Sequence, residues 1–140
     1  MEHVSTLDRT MMKTQEWLQE IKDEGRYQSD NNAHQVLRAV LQALRDRLFL
    51  EEVADLGAQL PTYIRGIYYE GWVPSQTPLK IRTQRDFVDR VGSRLPTGMD
   101  PLLAVKTIFT ILQRKITGGE IQDIKGNLPE HILQLWPAEV

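Results

Sequence analysis

Apolar residues recur at helical spacing along most of the chain. Leu37, Val40, Leu41, Leu44 and Leu48 fall three or four apart, as do Val105, Ile108, Phe109, Leu112 and Ile116, which puts each set on one face of a long α-helix. A shorter apolar set follows each: Val53, Leu56 and Leu60 in one case, Ile121, Ile124 and Leu128 in the other. Each set ends in a Leu-Pro pair, at Pro61 and Pro129. Proline disfavours helical geometry in the residue before it and suits the first position of a new helix. A last helix is therefore expected to carry Ile64, Ile67 and Tyr68, or Ile132, Leu135 and Trp136. Opening helices are expected over Gln15 to Lys22 and Arg85 to Val91. No convincing strand pattern is present, so the fold class is all-α.

The expected helix starts rest on capping chemistry. Asp100-Pro101 combines an acidic N-cap with proline at the first helical position, and Asn32-Ala33 holds the matching place in the earlier long helix. Thr83 with Asp86, and Thr117-Gly118-Gly119-Glu120, have the spacing of a capping box. The earlier short helix keeps Glu52 but has Phe49 where the threonine belongs. Phe49 has two readings, a local apolar contact or an intermolecular one.

These parallels are one duplication. Residues 36–64 match residues 104–132 without a gap, at an offset of 68. Leu44/Leu112, Glu52/Glu120, Asp55/Asp123, Leu60/Leu128, Pro61/Pro129 and Ile64/Ile132 are identical. Amphipathicity alone does not require the paired Leu-Pro and Glu-x-x-Asp. Two tandem pseudo-repeats of roughly four helices each are expected over residues 1–72 and 81–140, joined by a Pro/Gly-containing connector at 73–80 and sharing one core. A unit of about 70 residues is marginal alone.

Composition narrows the chemistry. The chain has 140 residues, 17 basic and 19 acidic side chains, three histidines and no cysteine, which removes disulfides, thiolate metal sites and a cysteine nucleophile. A net charge of −2 gives no overall attraction for nucleic acid or an anionic membrane. Residues 1–72 hold 8 basic and 12 acidic side chains and residues 73–140 hold 9 and 7, a mild gradient that could help halves or protomers dock. No apolar run approaches the ~20 residues of a membrane span. Glu2 and Asp8 stand where a signal peptide is basic, so a cytoplasmic location is expected. His3, His34 and His131 lack ligand spacing, and neither a metal nor a cofactor is expected. No serine has an adjacent base, and no glycine-rich phosphate loop occurs.

Features found in both repeats read as structural. Carboxylates three apart on one helical face, as in Glu52/Asp55 and Glu120/Asp123, could bind a metal or do acid-base work, but early in a short helix they are expected to complement its first turn, with Arg47 and Lys115 pairing with them or with terminal carbonyls. The unshared segment is Tyr63 to Trp72, in which Arg65, Tyr68, Tyr69, Glu70 and Trp72 are the candidate binding residues. Tyrosine, tryptophan and arginine dominate binding hot spots. The same side chains could equally fill the seam between repeats, with Arg65 satisfying a helix end.

With these segments, AVLQALRDRLFLEEVADLGAQLP, IRGIYYEGW and GGEIQDIKGNLPEHILQLWP, the chain resembles the bacterial family called domain of unknown function 2267. The resemblance spans essentially the whole chain. It implies a small, helical, cytoplasmic protein with two similar halves, and no reaction. The functional expectation is a non-catalytic interaction module that binds a protein partner or itself. The alternative is a small-ligand or enzymatic site in the cleft between repeats, with Arg65 holding an anion and Tyr69 or Glu70 moving a proton.

Overall fold

The computed structural model describes residues 5–138. Eight α-helices and no strand occur among them: α1 (Thr6–Gly25), α2 (Asp30–Arg47), α3 (Leu50–Gln59), α4 (Thr62–Tyr69), α5 (Gln84–Gly92), α6 (Pro101–Lys115), α7 (Gly118–Asn127) and α8 (Glu130–Leu133). The fold is all-α, as the apolar spacing requires. None of these helices is long and apolar enough to cross a membrane.

Helices α2 and α6 form the centre. Helix α2 is apolar over most of its circumference: Ala33, Val36, Leu37, Ala39, Val40, Leu41, Ala43 and Leu44 are all fully buried. A helix that is apolar all round needs neighbours on every side, and α2 packs on α1, α4, α5 and α6. One continuous apolar cluster runs from Trp17 on α1 to Trp136 beyond α8. Phe109 of α6 stacks on Trp136 at 4.3 Å between ring centroids, with Phe87 of α5 alongside at 6.1 Å.

Several helix limits differ from those read in the sequence. Helix α1 starts nine residues before Gln15, because the Ser5 hydroxyl accepts the Asp8 N–H at 3.1 Å and fixes an N-terminus there. The turns it adds place Leu7, Met11 and Met12 in solvent, so no buried stripe signals them. Helix α2 starts after Ser29, not at Asn32. Ser29 is extended and its Oγ accepts the Asn32 N–H at 3.0 Å. Pro61 and Pro129 stand one residue earlier than expected, at the N-caps of α4 and α8. Helix α8 stops at Leu133, so buried Leu135 and Trp136 lie on the turn after it. Asp100 caps α6 through the N–H groups of Leu102 and Leu103, and Thr83 caps α5 through Asp86.

Candidate functional site

The segment Tyr63–Trp72 spans α4 and the turn after it. Pro61 starts α4, and Ile64, Ile67 and Tyr68 turn its apolar stripe inward. Arg65 and Tyr69, four apart, share the face toward α3. Arg65 donates to the carbonyls of Gly57 at 2.7 Å, Leu60 at 2.9 Å and Ala58 at 3.3 Å, closing the α3 C-terminus, whose last carbonyls have no helical partner. Tyr68 is fully buried and donates to the Val53 carbonyl at 2.8 Å, and burial pushes its phenol well above the usual tyrosine range. Tyr69 packs edge-on against Tyr68 at 4.9 Å and against Trp72 at 5.6 Å. The Trp72 indole N–H donates to Thr77 Oγ1 at 2.8 Å. Glu70 forms an ion pair with Arg38 of α2. Tyr68, Tyr69 and Trp72 thus lie together, whereas Arg65 and Glu70 serve different elements.

Helices α3 and α7 hold a second arrangement. Both ends of α7 lie 68 residues after those of α3, and their contacts are reciprocal. At the end of α3, Gln59 Nε2 donates to Thr117 Oγ1 and its Oε1 accepts the Thr117 N–H, both at 3.1 Å. At the end of α7, Asn127 Oδ1 accepts the Phe49 N–H at 3.2 Å. Each helix end therefore serves the other's start, and the pair is antiparallel. Thr117 Oγ1 also accepts the Glu120 N–H at 3.3 Å, one half of the expected capping box. Gln59 takes the place of the other half, because Glu120 is turned elsewhere.

Glu120 turns toward Glu52. Oxygens of Glu52, Glu120 and Asp123 lie within 4.8 Å of one another. Glu52 is 7% exposed and Glu120 8%, and no ion pair among the described residues reaches any of the three. Two buried carboxylates this close cannot both be charged at low cost. Burial first, then the hydrogen bond to Glu52 and the charges of Glu52, Asp55 and Asp123, push the Glu120 carboxyl up to about 8. That shift favours the protonated Glu120 carboxyl near neutral pH, with Glu52 beside it to accept. Both acids lie in the first turns of their helices, as expected; what the local reading did not include is that the two turns meet. The same oxygens are the carboxylate group that could meet a cation. Lys115 pairs with Glu20 of α1, not with these acids, and Arg47 keeps a buried Nε without a partner. His34 and His131 lie on α2 and α8, while His3 is outside the described residues.

The duplicated carboxylates, the Leu-Pro stops and the Tyr-Tyr-Glu-Gly-Trp turn now have definite places in the fold. Residues 14–135 match the model of one family, described as "Uncharacterized conserved protein (DUF2267)". The chain belongs to the DUF2267 family. No curated protein matches it. In this DUF2267 chain the match runs from inside α1 to the turn after α8, taking in both the α3/α7 pair and the Tyr63–Trp72 segment.

Leu7 and Met11 of α1 flank a hollow of about 460 Å³ shared with Leu18, His34 and Tyr63. Leu7 is 70% exposed, Met11 58%, Met12 65% and Tyr63 48%. His34 Nε2 and the Tyr63 hydroxyl lie 3.1 Å apart across it, and burial, followed by the Arg38 charge, holds His34 below its usual pKa. This stripe lies before Gln15, where the expected helix begins; its signal in the sequence is Leu7 and Met11, four apart after the cap Ser5.

Proposed function

We propose that the protein is a non-catalytic helical interaction module, acting in the bacterial cytoplasm, that self-associates through the apolar face of α1 and Tyr63. The observation that carries this reading is the gathering of Leu7, Met11 and Tyr63, all about half or more exposed, around one apolar hollow. A contiguous apolar patch rimmed by polar groups is characteristic of a docking surface, and methionines adapt to the surface they meet. A second copy fits because α1 supplies both the projecting side chains and a wall of the hollow, as a two-fold interface demands. Along the same stretch Asp8, Arg9, Lys13 and Glu16 balance in charge, so two such faces meet without net repulsion. The family resemblance carried by the Leu-Pro and Tyr-Tyr-Glu-Gly-Trp segments is what supports the bacterial cytoplasm in this reading.

The alternative, an enzymatic site using Arg65, Tyr69 and Glu70, has less support. Arg65 is engaged by α3 carbonyls and Glu70 by Arg38, so the two polar groups serve different elements and do not converge on one site. Sedimentation velocity tests the main reading. The wild-type chain is expected to dimerise in the micromolar range and Met11→Glu to remain monomeric with unchanged helical circular dichroism. A wild type that stays monomeric, or a variant that dimerises equally, overturns it.

A further inference from the structure

The connector after α4 covers a small cavity whose charge is unbalanced. Its volume is about 210 Å³, and Arg45, Asp46, Arg90 and Arg94 line it beneath the segment from Gly71 to Leu79. Arg45 is fully engaged: it donates to Asp46 Oδ1 at 2.8 Å and to the carbonyls of Tyr68 at 2.8 Å and Glu70 at 2.9 Å. Asp46 Oδ2 also accepts from Arg90 at 2.7 Å and Arg94 at 3.3 Å. One carboxylate therefore faces three guanidiniums, and no other ion pair among the described residues reaches Arg90 or Arg94.

The arginines differ in what they still have to give. The Arg45 side chain is 3% exposed, whereas those of Arg90 and Arg94 are 33% and 29% exposed. Arg90 keeps a buried Nε without a partner. Among the described residues the Arg94 guanidinium makes two long hydrogen bonds, at 3.3 Å to Asp46 and 3.3 Å to Gln42. Burial, with the charges of Arg90 and Arg45, holds the Arg94 guanidinium below its usual pKa in spite of Asp46. Clustered positive charge in a half-enclosed space is costly unless an anion shares it. Guanidiniums match the oxygens of phosphate in geometry as well as charge.

We propose that this cavity binds a small dianionic oxyanion, a phosphate group either free or on a short organic stem, held by Arg90 and Arg94 over the buried Arg45–Asp46 pair. The charge excess of two equals the charge of a phosphate dianion. The volume is below the roughly 300–1,000 Å³ of pockets for larger ligands, which limits the stem to a few atoms. The site is independent of the α1 surface.

Isothermal titration of the full chain with inorganic phosphate and with glycerol 3-phosphate, at fixed ionic strength in chloride buffer, tests the proposal. Saturable one-to-one binding of at least one is expected; tighter glycerol 3-phosphate binding assigns the stem, and tighter inorganic phosphate binding the free ion. Arg90→Gln and Arg94→Gln should each weaken binding on the order of tenfold, the loss of one charge-assisted hydrogen bond. No saturable binding of either probe, or equal binding by both variants and the wild type, overturns it. Should a glutamine variant lose its helical circular dichroism, wild-type amide shifts decide. Shifts with the tighter probe centred on Gly71–Leu79, Arg90 and Arg94 support the site, and none there overturns it.

Discussion

Phe49 is one residue at which the sequences of α3 and α7 differ at the cap. It occupies the N-cap of α3 in extended conformation, has no side-chain oxygen to offer, and is 56% exposed, so it is not a core residue. The matching Thr117 accepts the N–H of Glu120. Phe49→Thr should stabilise the protein by about 0.5–1 kcal/mol, since a hydroxyl at an N-cap contributes that much and little apolar burial is lost. A higher urea midpoint at unchanged slope is the expected readout. Glu120 supports a pH prediction. Its folded pKa, about 8, lies above the ordinary value near 4.3, so the stability it confers is complete below the ordinary value and is lost as pH rises through the folded one. In chelator-treated protein the melting temperature should fall by several degrees more in the wild type than in Glu120→Gln between pH 5 and 9. Parallel profiles would contradict the shared proton.

At the scale of elements, α3 is held by two neighbours, α7 and α4, through different chemistry. Helix α7 meets it end to end through Gln59, Thr117, Asn127 and the buried glutamates. Arg65 of α4 closes its carbonyls, and Tyr69 packs on its glycine. A Cβ at Gly57 would stand 2.3 Å from the Tyr69 hydroxyl, whereas at Gly66 it would meet nothing within 4 Å. Both glycines lie in helices, where alanine has the better propensity by about 1 kcal/mol. Gly66→Ala should therefore raise stability by about 0.5–1 kcal/mol. Gly57→Ala should lower it by about 1–3 kcal/mol, because Tyr69 is hemmed in by Tyr68 and Trp72 and overpacking outweighs the propensity gain. Thermal melts of the two variants should move in opposite directions.

Across the whole molecule, the halves are joined by contacts that neither could make alone. Helix α2 packs on α5 and α6, α1 on α6, and α3 on α7, and a single apolar cluster includes residues from both halves. Cutting the chain after Trp72 would uncover the side of α2 that packs on α5 and α6. A unit of about 70 residues buries too small a fraction of its surface to compensate. Residues 1–72 expressed alone should show no cooperative thermal transition and poor amide dispersion. A sharp transition in that fragment would mean that each half holds its own core.

The sequence by itself determined the helices, their order, most of their stops and the inward faces. Those depend on residues three or four apart, on prolines and on caps, all local in the chain. It misplaced the starts of α1 and α2 because Ser5 and Ser29 lie outside the apolar stripes that draw attention to a helix. For the candidate segment it offered two readings of Arg65, and the fold chose the helix end, because α4 folds back on α3. The meeting of Glu52 with Glu120, 68 residues apart, and of Asp46 with Arg90 and Arg94 was decided only by tertiary structure. Each of those side chains has an ordinary local role as a helix-surface charge. What alters its chemistry is the loss of water and the arrival of a partner from the other half, and helix packing alone supplies both.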